Sequence, residues 1–117
     1  MYWSAVAAIL LGLAVLLGAF GAHGLKDRLD AYSMSVYEKA VFYHFVHALG
    51  LLIVSIMPRQ RLTAWICGLL FAGILIFSGS LYVLAVTGIR AMGAITPFGG
   101  LAFIAGWFLL AYSLLRR

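Results

Sequence analysis

The stretch "FYHFVHALG" (residues 42–50) sets two imidazoles, His44 and His47, three residues apart inside an otherwise apolar segment. That spacing puts both on one helix face. Tyr37, Ala40 and Leu51 extend the same stripe, and because Leu51 is apolar the polar part of the face ends at His47. The apolar run containing the pair reaches from about Ala40 to Met57, long enough to cross lipid once its flanks are included. Whether it crosses a bilayer or fills a soluble core is decided by the rest of the chain.

The composition decides for the bilayer. Of 117 residues, 66% are hydrophobic and only 9% charged. Soluble domains run near half apolar and a quarter charged, and a fold this small has too little interior to hide such a surface. Three further runs cover 2–22, 62–87 and 97–115. With the second taken as 36–57, each meets the ~20 residues that a helix needs to span the hydrocarbon. Helices satisfy every backbone polar group within the segment, so open spans in lipid are helical. The expectation is an all-α membrane protein: a four-helix transmembrane bundle, 1–117, in a single membrane domain. The first run has no Lys or Arg before it and is too long for the apolar part of a signal peptide, so it reads as a span. The single Cys67 excludes an internal disulfide framework. The net charge of +5 comes from basic residues at span ends rather than from a basic face, so nucleic acid is not expected as a partner.

Local chemistry suggests the boundaries. Ser35-Val36-Tyr37-Glu38 matches a capping box and places the start of the second helix near Ser35. Thr96-Pro97 reads as an N-cap followed by proline at the first helical position. Gly88 after Thr87 reads as a C-terminal cap. Between the first two spans, Leu25, Leu29, Tyr32 and Val36 recur at helical spacing among Lys26, Asp27, Arg28 and Asp30, which suggests a short amphipathic segment at the membrane interface.

Four spans put the N-terminus, the 58–61 turn and the C-terminus on one side of the membrane, here side A, and the 23–39 and 88–96 connections on side B. Arg59, Arg61, Arg116 and Arg117 on side A balance Lys26, Arg28, Lys39 and Arg90 on side B. The count of basic residues therefore does not orient the chain. All three acids, Asp27, Asp30 and Glu38, fall on side B. The acid-free arginines of side A favour cytoplasmic termini.

Polar residues gather toward side B. At the rise of an α-helix His44 and His47 lie roughly 7 and 12 Å below Lys39. Ser78, Ser80 and Tyr82 of "FSGSLY" lie roughly 8 to 14 Å from the same side. His23, Arg90 and Thr96 also belong there. The opposite half carries Trp3, Trp65 and Tyr112 as aromatic anchors and is otherwise mostly aliphatic. Polar side chains in lipid face a partner helix or a wet cavity, so Tyr43, Ser78, Ser80, Tyr82, Arg90 and Thr96 are candidate cavity-lining residues. The alternative is local bonding between neighbouring helices. Small-residue ridges at Ala14, Gly18 and Ala22, at Gly68 and Ala72, and at Ala102 and Gly106 suit close helix contacts or oligomerisation. Ser78-Gly79-Ser80 is a candidate kink.

Three readings of the histidines stand side by side. His23, His44 and His47 would supply three imidazoles to a metal, or ligate haem. Imidazole also relays protons near neutrality, which suits a small carrier or channel-like module. The third reading is structural, with the rings bonding across helices. No catalytic constellation stands out: the chain has no paired carboxylates within a span, no phosphate-binding glycine loop and no partner for Cys67. No catalytic residue and no cofactor is expected. The leading reading is a non-enzymatic membrane protein acting through helix contacts, as a homo-oligomer or with another membrane protein.

The stretches "GAFGAHGLK" (18–26), "YHFVHALGLL" (43–52), "FSGSLYVLAVTGIR" (77–90), "ITPFGG" (95–100) and "GW" (106–107) resemble the DUF423 family of small membrane proteins of unknown function, which includes YgdD-like and YwdK-like proteins. The resemblance runs from the first span to the fourth. It implies an integral, multi-spanning protein, in bacteria of the inner membrane, with no established activity or cofactor.

Overall fold

Without water in the bilayer core, each apolar run closes its own hydrogen bonds, and the chain coils accordingly. The computed structural model describes residues 2–116. Among them four helices are long and apolar enough to cross a membrane: α1 (Trp3–Leu25), α2 (Ala31–Ile56), α3 (Thr63–Thr87) and α4 (Met92–Leu115). No strand occurs among the described residues. Arg117, counted above with side A, lies outside them.

Two helix starts differ from the sequence expectation, each by about one turn. Asp30, not Ser35, caps α2: its Oδ1 accepts the Ser33 N–H at 2.7 Å. Ser35 sits inside the helix and donates to the Tyr32 carbonyl. Asp is as good an N-cap as Ser, and no Gly or Pro lies between Asp30 and Ser35 to delay the helix. The interfacial stretch is accordingly shared out. Leu25 ends α1, Val36 is buried in α2, and 26–30 is a turn. In the same way α4 begins at Met92 and carries Pro97 inside it. The proline removes one donor, and Thr96 Oγ1 donates to the Met92 carbonyl at 3.2 Å. Membrane helices tolerate such a proline because neighbouring groups satisfy the freed backbone. The expected cap after α3 holds: Gly88 has φ +73°, the left-handed conformation, and its N–H bonds the Leu84 carbonyl at 2.8 Å.

Two π turns interrupt the helices, Gly21–Leu25 at the end of α1 and Ile74–Ser78 within α3. The second ends on Ser78, the first residue of Ser78-Gly79-Ser80, so the irregularity expected there is a π turn. It lets α4 come close: a Cβ at Gly99 would stand 2.3 Å from the Phe77 backbone nitrogen. Only glycine permits that approach.

α2 and α3 form the middle of the bundle, with α1 packed mainly on α2 and α4 on α3. In α2 and α3, 39% of the most apolar stretch is buried, against 22% in α1 and α4, so the outer pair gives most of its surface to lipid. Leu51, Val54, Ile66, Cys67, Leu70 and Ile74 make the larger core with Ala7 and Leu10. Leu25, Val36, Tyr37, Ala40, Leu81 and Ala85 make a second core nearer side B. Of the small-residue ridges, Ala14 and Gly106 are buried, whereas Gly68 faces open space.

Candidate functional site

α2 presents Tyr37, His44 and His47 to the interior, all three buried. His44 bridges two other helices. Its Nε2 lies 2.8 Å from the Leu10 carbonyl oxygen of α1, and its Nδ1 lies 2.8 Å from the Tyr82 hydroxyl of α3. A carbonyl only accepts, so Nε2 carries the hydrogen; in the neutral ring Nδ1 then accepts from Tyr82. Both ring nitrogens are thereby engaged. His47 takes the opposite tautomer: its Nδ1–H donates to the Tyr43 carbonyl one turn back, at 2.8 Å. The His47 ring stacks on Phe103 of α4, with centroids 3.5 Å apart, and leans on Trp107.

The remaining polar groups continue the pattern. Tyr37 donates its hydroxyl to the Leu17 carbonyl of α1. Just there α1 loosens into its π turn, and the Gly21 N–H is divided between the Leu17 and Gly18 carbonyls. Leu10 and Leu17 lie two turns apart on one face of α1, which matches the spacing of Tyr37 and His44 on α2. Ser78 donates to the Ala40 carbonyl at 2.9 Å and ties α3 to α2. Ser80 and Thr96 bond hydroxyl to hydroxyl and tie α3 to α4. The Tyr37 and Tyr82 rings meet edge to face at 5.4 Å. Tyr43 packs against Phe77, with centroids 4.7 Å apart.

The structure thus pairs His44 with Tyr82 and Ser80 with Thr96, ties Ser78 to a backbone carbonyl, and sets Tyr43 and His47 against Phe77 and Phe103. It does not bring in His23 or Arg90. His23 is exposed in the last turn of α1. Arg90 is exposed at the mouth of a shallow groove of ≈ 440 Å³ shared with Tyr32, Ser33, Leu84, Gly88 and Gly93. Among the described residues no group of three or more His, Cys, Asp or Glu side chains is placed to hold a metal ion. The two histidines also lie further along α2 than its expected start at Ser35 suggests. With α2 starting at Ala31, His44 stands at its midpoint and His47 lies beyond, toward Ile56. The earlier helix start is the reason.

Sequence reasoning misses the acceptors. The carbonyls of Leu10, Leu17, Ala40 and Tyr43 carry no signal, because every residue has one. Tyr37 was within reach: it is buried, lies two turns before His44 on the same stripe, and has a hydroxyl that needs a partner in lipid.

Outside the spans, Asp30 is the one shifted group among the described residues. The hydrogen bond from the Ser33 backbone N–H, with a further one from its side chain, holds the carboxyl below its ordinary value.

Comparison with known proteins agrees with this architecture. The model of the family described as "Protein of unknown function (DUF423)" matches residues 17–100. A UPF0382 membrane protein of Staphylococcus haemolyticus is 54% identical over 98 residues, covering 82% of this chain and 80% of the relative. A UPF0382 membrane protein of Staphylococcus saprophyticus is 53% identical over 100 residues, covering 84% and 83%. The UPF0382 membrane protein YwdK of Bacillus subtilis is 44% identical over 111 residues, covering 89% and 88%. No solved structure matches the chain. With four apolar helices and relatives of this kind, the chain is an integral membrane protein and belongs to the DUF423 family, whose molecular function is unknown.

Proposed function

We propose that this protein acts through its lipid-facing helix surface, as a homo-oligomer or as an accessory subunit of another membrane protein, and carries out no chemistry of its own. The observation that supports this reading is a groove of ≈ 520 Å³ running along α1 and α2. Gly18, Gly21 and Ala22 line one wall; Phe42, Val46 and Leu49 line the other. Gly21 is covered by the Tyr37 ring and Gly18 faces Val41, but Ala22 is exposed. A small exposed residue lets a further helix approach closely, a main source of association where lipid tails are as apolar as leucine. Tyr37, His44, Ser78, Ser80, Tyr82 and Thr96, by contrast, already bond carbonyls or side chains of neighbouring helices, which leaves the surface as the place for further contacts.

The membrane concerned is the bacterial inner, or cytoplasmic, membrane, with both termini in the cytoplasm. This placement is supported by the bacterial relatives named as membrane proteins and by the acid-free arginines of side A.

Crosslinking tests the reading. In a C67A background and in native lipid, A22C is expected to crosslink to a second copy or to one defined membrane protein. F108C, on the exposed face of α4, is expected to stay single. A chain that is monomeric in lipid nanodiscs, and whose A22C variant crosslinks to nothing in the native membrane, would overturn it.

A further inference from the structure

On side A a second groove, of ≈ 430 Å³, lies where the turn between α2 and α3 meets the end of α4. Gln60, Arg61 and Leu62 line it from the turn; Tyr112, Ser113 and Arg116 line it from the helix. Two hydrogen bonds fix its shape. Ser113 donates to Gln60 Oε1 at 2.6 Å, and the Gln60 N–H donates to Thr63 Oγ1 at 2.8 Å. The Arg116 guanidinium stands over the Tyr112 ring, 5.7 Å from its centroid. Two arginines far apart in the chain therefore share one depression, and their neighbours are locked in place.

The charge there is uncompensated by acidic side chains. All three Asp and Glu residues of the chain lie on side B. Arg61 follows the end of α2 and Arg116 follows the end of α4, so both stand at the level where a span leaves the hydrocarbon. The anion present at that level in any bilayer is lipid phosphate. A guanidinium forks two N–H groups onto two phosphate oxygens, and basic pockets between transmembrane helices suit acidic headgroups. Leu62 and Tyr112 offer an apolar wall for the glycerol and the first carbons of an acyl chain.

We propose that this groove is a phosphate-binding site occupied by the headgroup of an anionic phospholipid, with Arg61 and Arg116 gripping the phosphate between them. Occupancy joins the α2–α3 turn to the end of α4 across their shared face.

The test uses the full chain purified in detergent with phosphatidylglycerol and phosphatidylcholine in equal amounts, and reads retained lipid by native mass spectrometry. Phosphatidylglycerol is expected to be retained in preference. R61Q/R116Q is expected to weaken that preference about tenfold or more, given two lost charges at the membrane surface. R59Q, which removes a charge from the same turn but does not line the groove, is expected to change it little. Should the double variant lose its helical circular dichroism, R61K/R116K serves instead. It keeps the charges but lacks the fork, and is expected to fall between wild type and loss. Equal retention of the two lipids, or an R59Q effect as large as that of the double variant, would overturn the proposal. Binding of inorganic phosphate by lipid-free protein, without retained phosphatidylglycerol, would overturn the lipid source.

Discussion

The α1–α2–α3 side of the bundle and its α3–α4 seam weigh two means of contact differently. The first also has a glycine contact, Gly21 against the Tyr37 ring, but carries more of the hydrogen bonds that cross between helices. On the first, Tyr37, His44 and Ser78 each reach across to a carbonyl of a neighbouring helix, and Tyr82 closes the link to His44. On the second, one hydroxyl pair, Ser80 with Thr96, spans the seam within the bilayer, and glycine does the rest. A Cβ on Gly73 would meet Phe103 at 2.4 Å, one on Gly99 would meet the Phe77 backbone, and one on Gly106 would meet Leu70 at 3.1 Å. The contrast shows the two devices left to a membrane fold once the hydrophobic effect no longer distinguishes helix from lipid: interhelical hydrogen bonds and close van der Waals approach. It also shows that polar residues within spans need not mark a reaction.

The contrast ranks the effects of substitution. The largest loss is expected for Gly99→Val, because the obstacle is backbone rather than a movable side chain. Overpacking there should cost about 3 kcal/mol or more, read as unfolding in lipid bicelles, and α4 should separate first. A loss below that of His44→Leu would break the ranking. His44→Leu removes two bonds and is expected to cost about 1–2 kcal/mol. A double-mutant cycle with Tyr82→Phe should return a coupling of roughly 0.6 kcal/mol, the usual scale for such pairs in a bilayer; zero coupling would remove the bridge from the account. Ser78→Ala is expected to cost about 0.6 kcal/mol, since the Ala40 carbonyl keeps its own helical bond.

The smallest effect concerns Asp30. Its carboxyl lies below the ordinary value of 3.8 in the folded chain. Its contribution is therefore fully present above that value and is lost as the pH falls through the lower folded value. Hydrogen exchange should show the first turn of α2 fraying under strong acid in wild type but already open at neutral pH in Asp30→Ala. An acid-insensitive first turn would contradict the cap.

Much of the fold was legible because composition alone requires helices in lipid. The number of spans and the Gly88 cap follow from apolar length and from the one residue type at ease with positive φ. Helix starts were less legible because two caps competed. Asp30 and Ser35 are equally able, and their order along the chain decides. Pro97 misleads because a membrane helix absorbs a proline that would end a soluble one. The candidate site was legible by half. His44, Ser78, Ser80, Tyr82 and Thr96 stand out as polar groups in apolar runs, and each does find a partner. Their acceptors are carbonyls, invisible in sequence. His23 and Arg90 share the side-B end with these groups but not their interior, because nearness to a span end says nothing about which way a side chain points.

Histidine side-chain nitrogen NMR in lipid bilayers tests most directly whether the interior polar groups serve as helix bridges. The expected result is opposite neutral tautomers three residues apart: His44 with its hydrogen on Nε2, bonded to the Leu10 carbonyl, and His47 with its hydrogen on Nδ1, bonded to the Tyr43 carbonyl. A His44 ring with its hydrogen on Nδ1, or in rapid exchange with water, would contradict it.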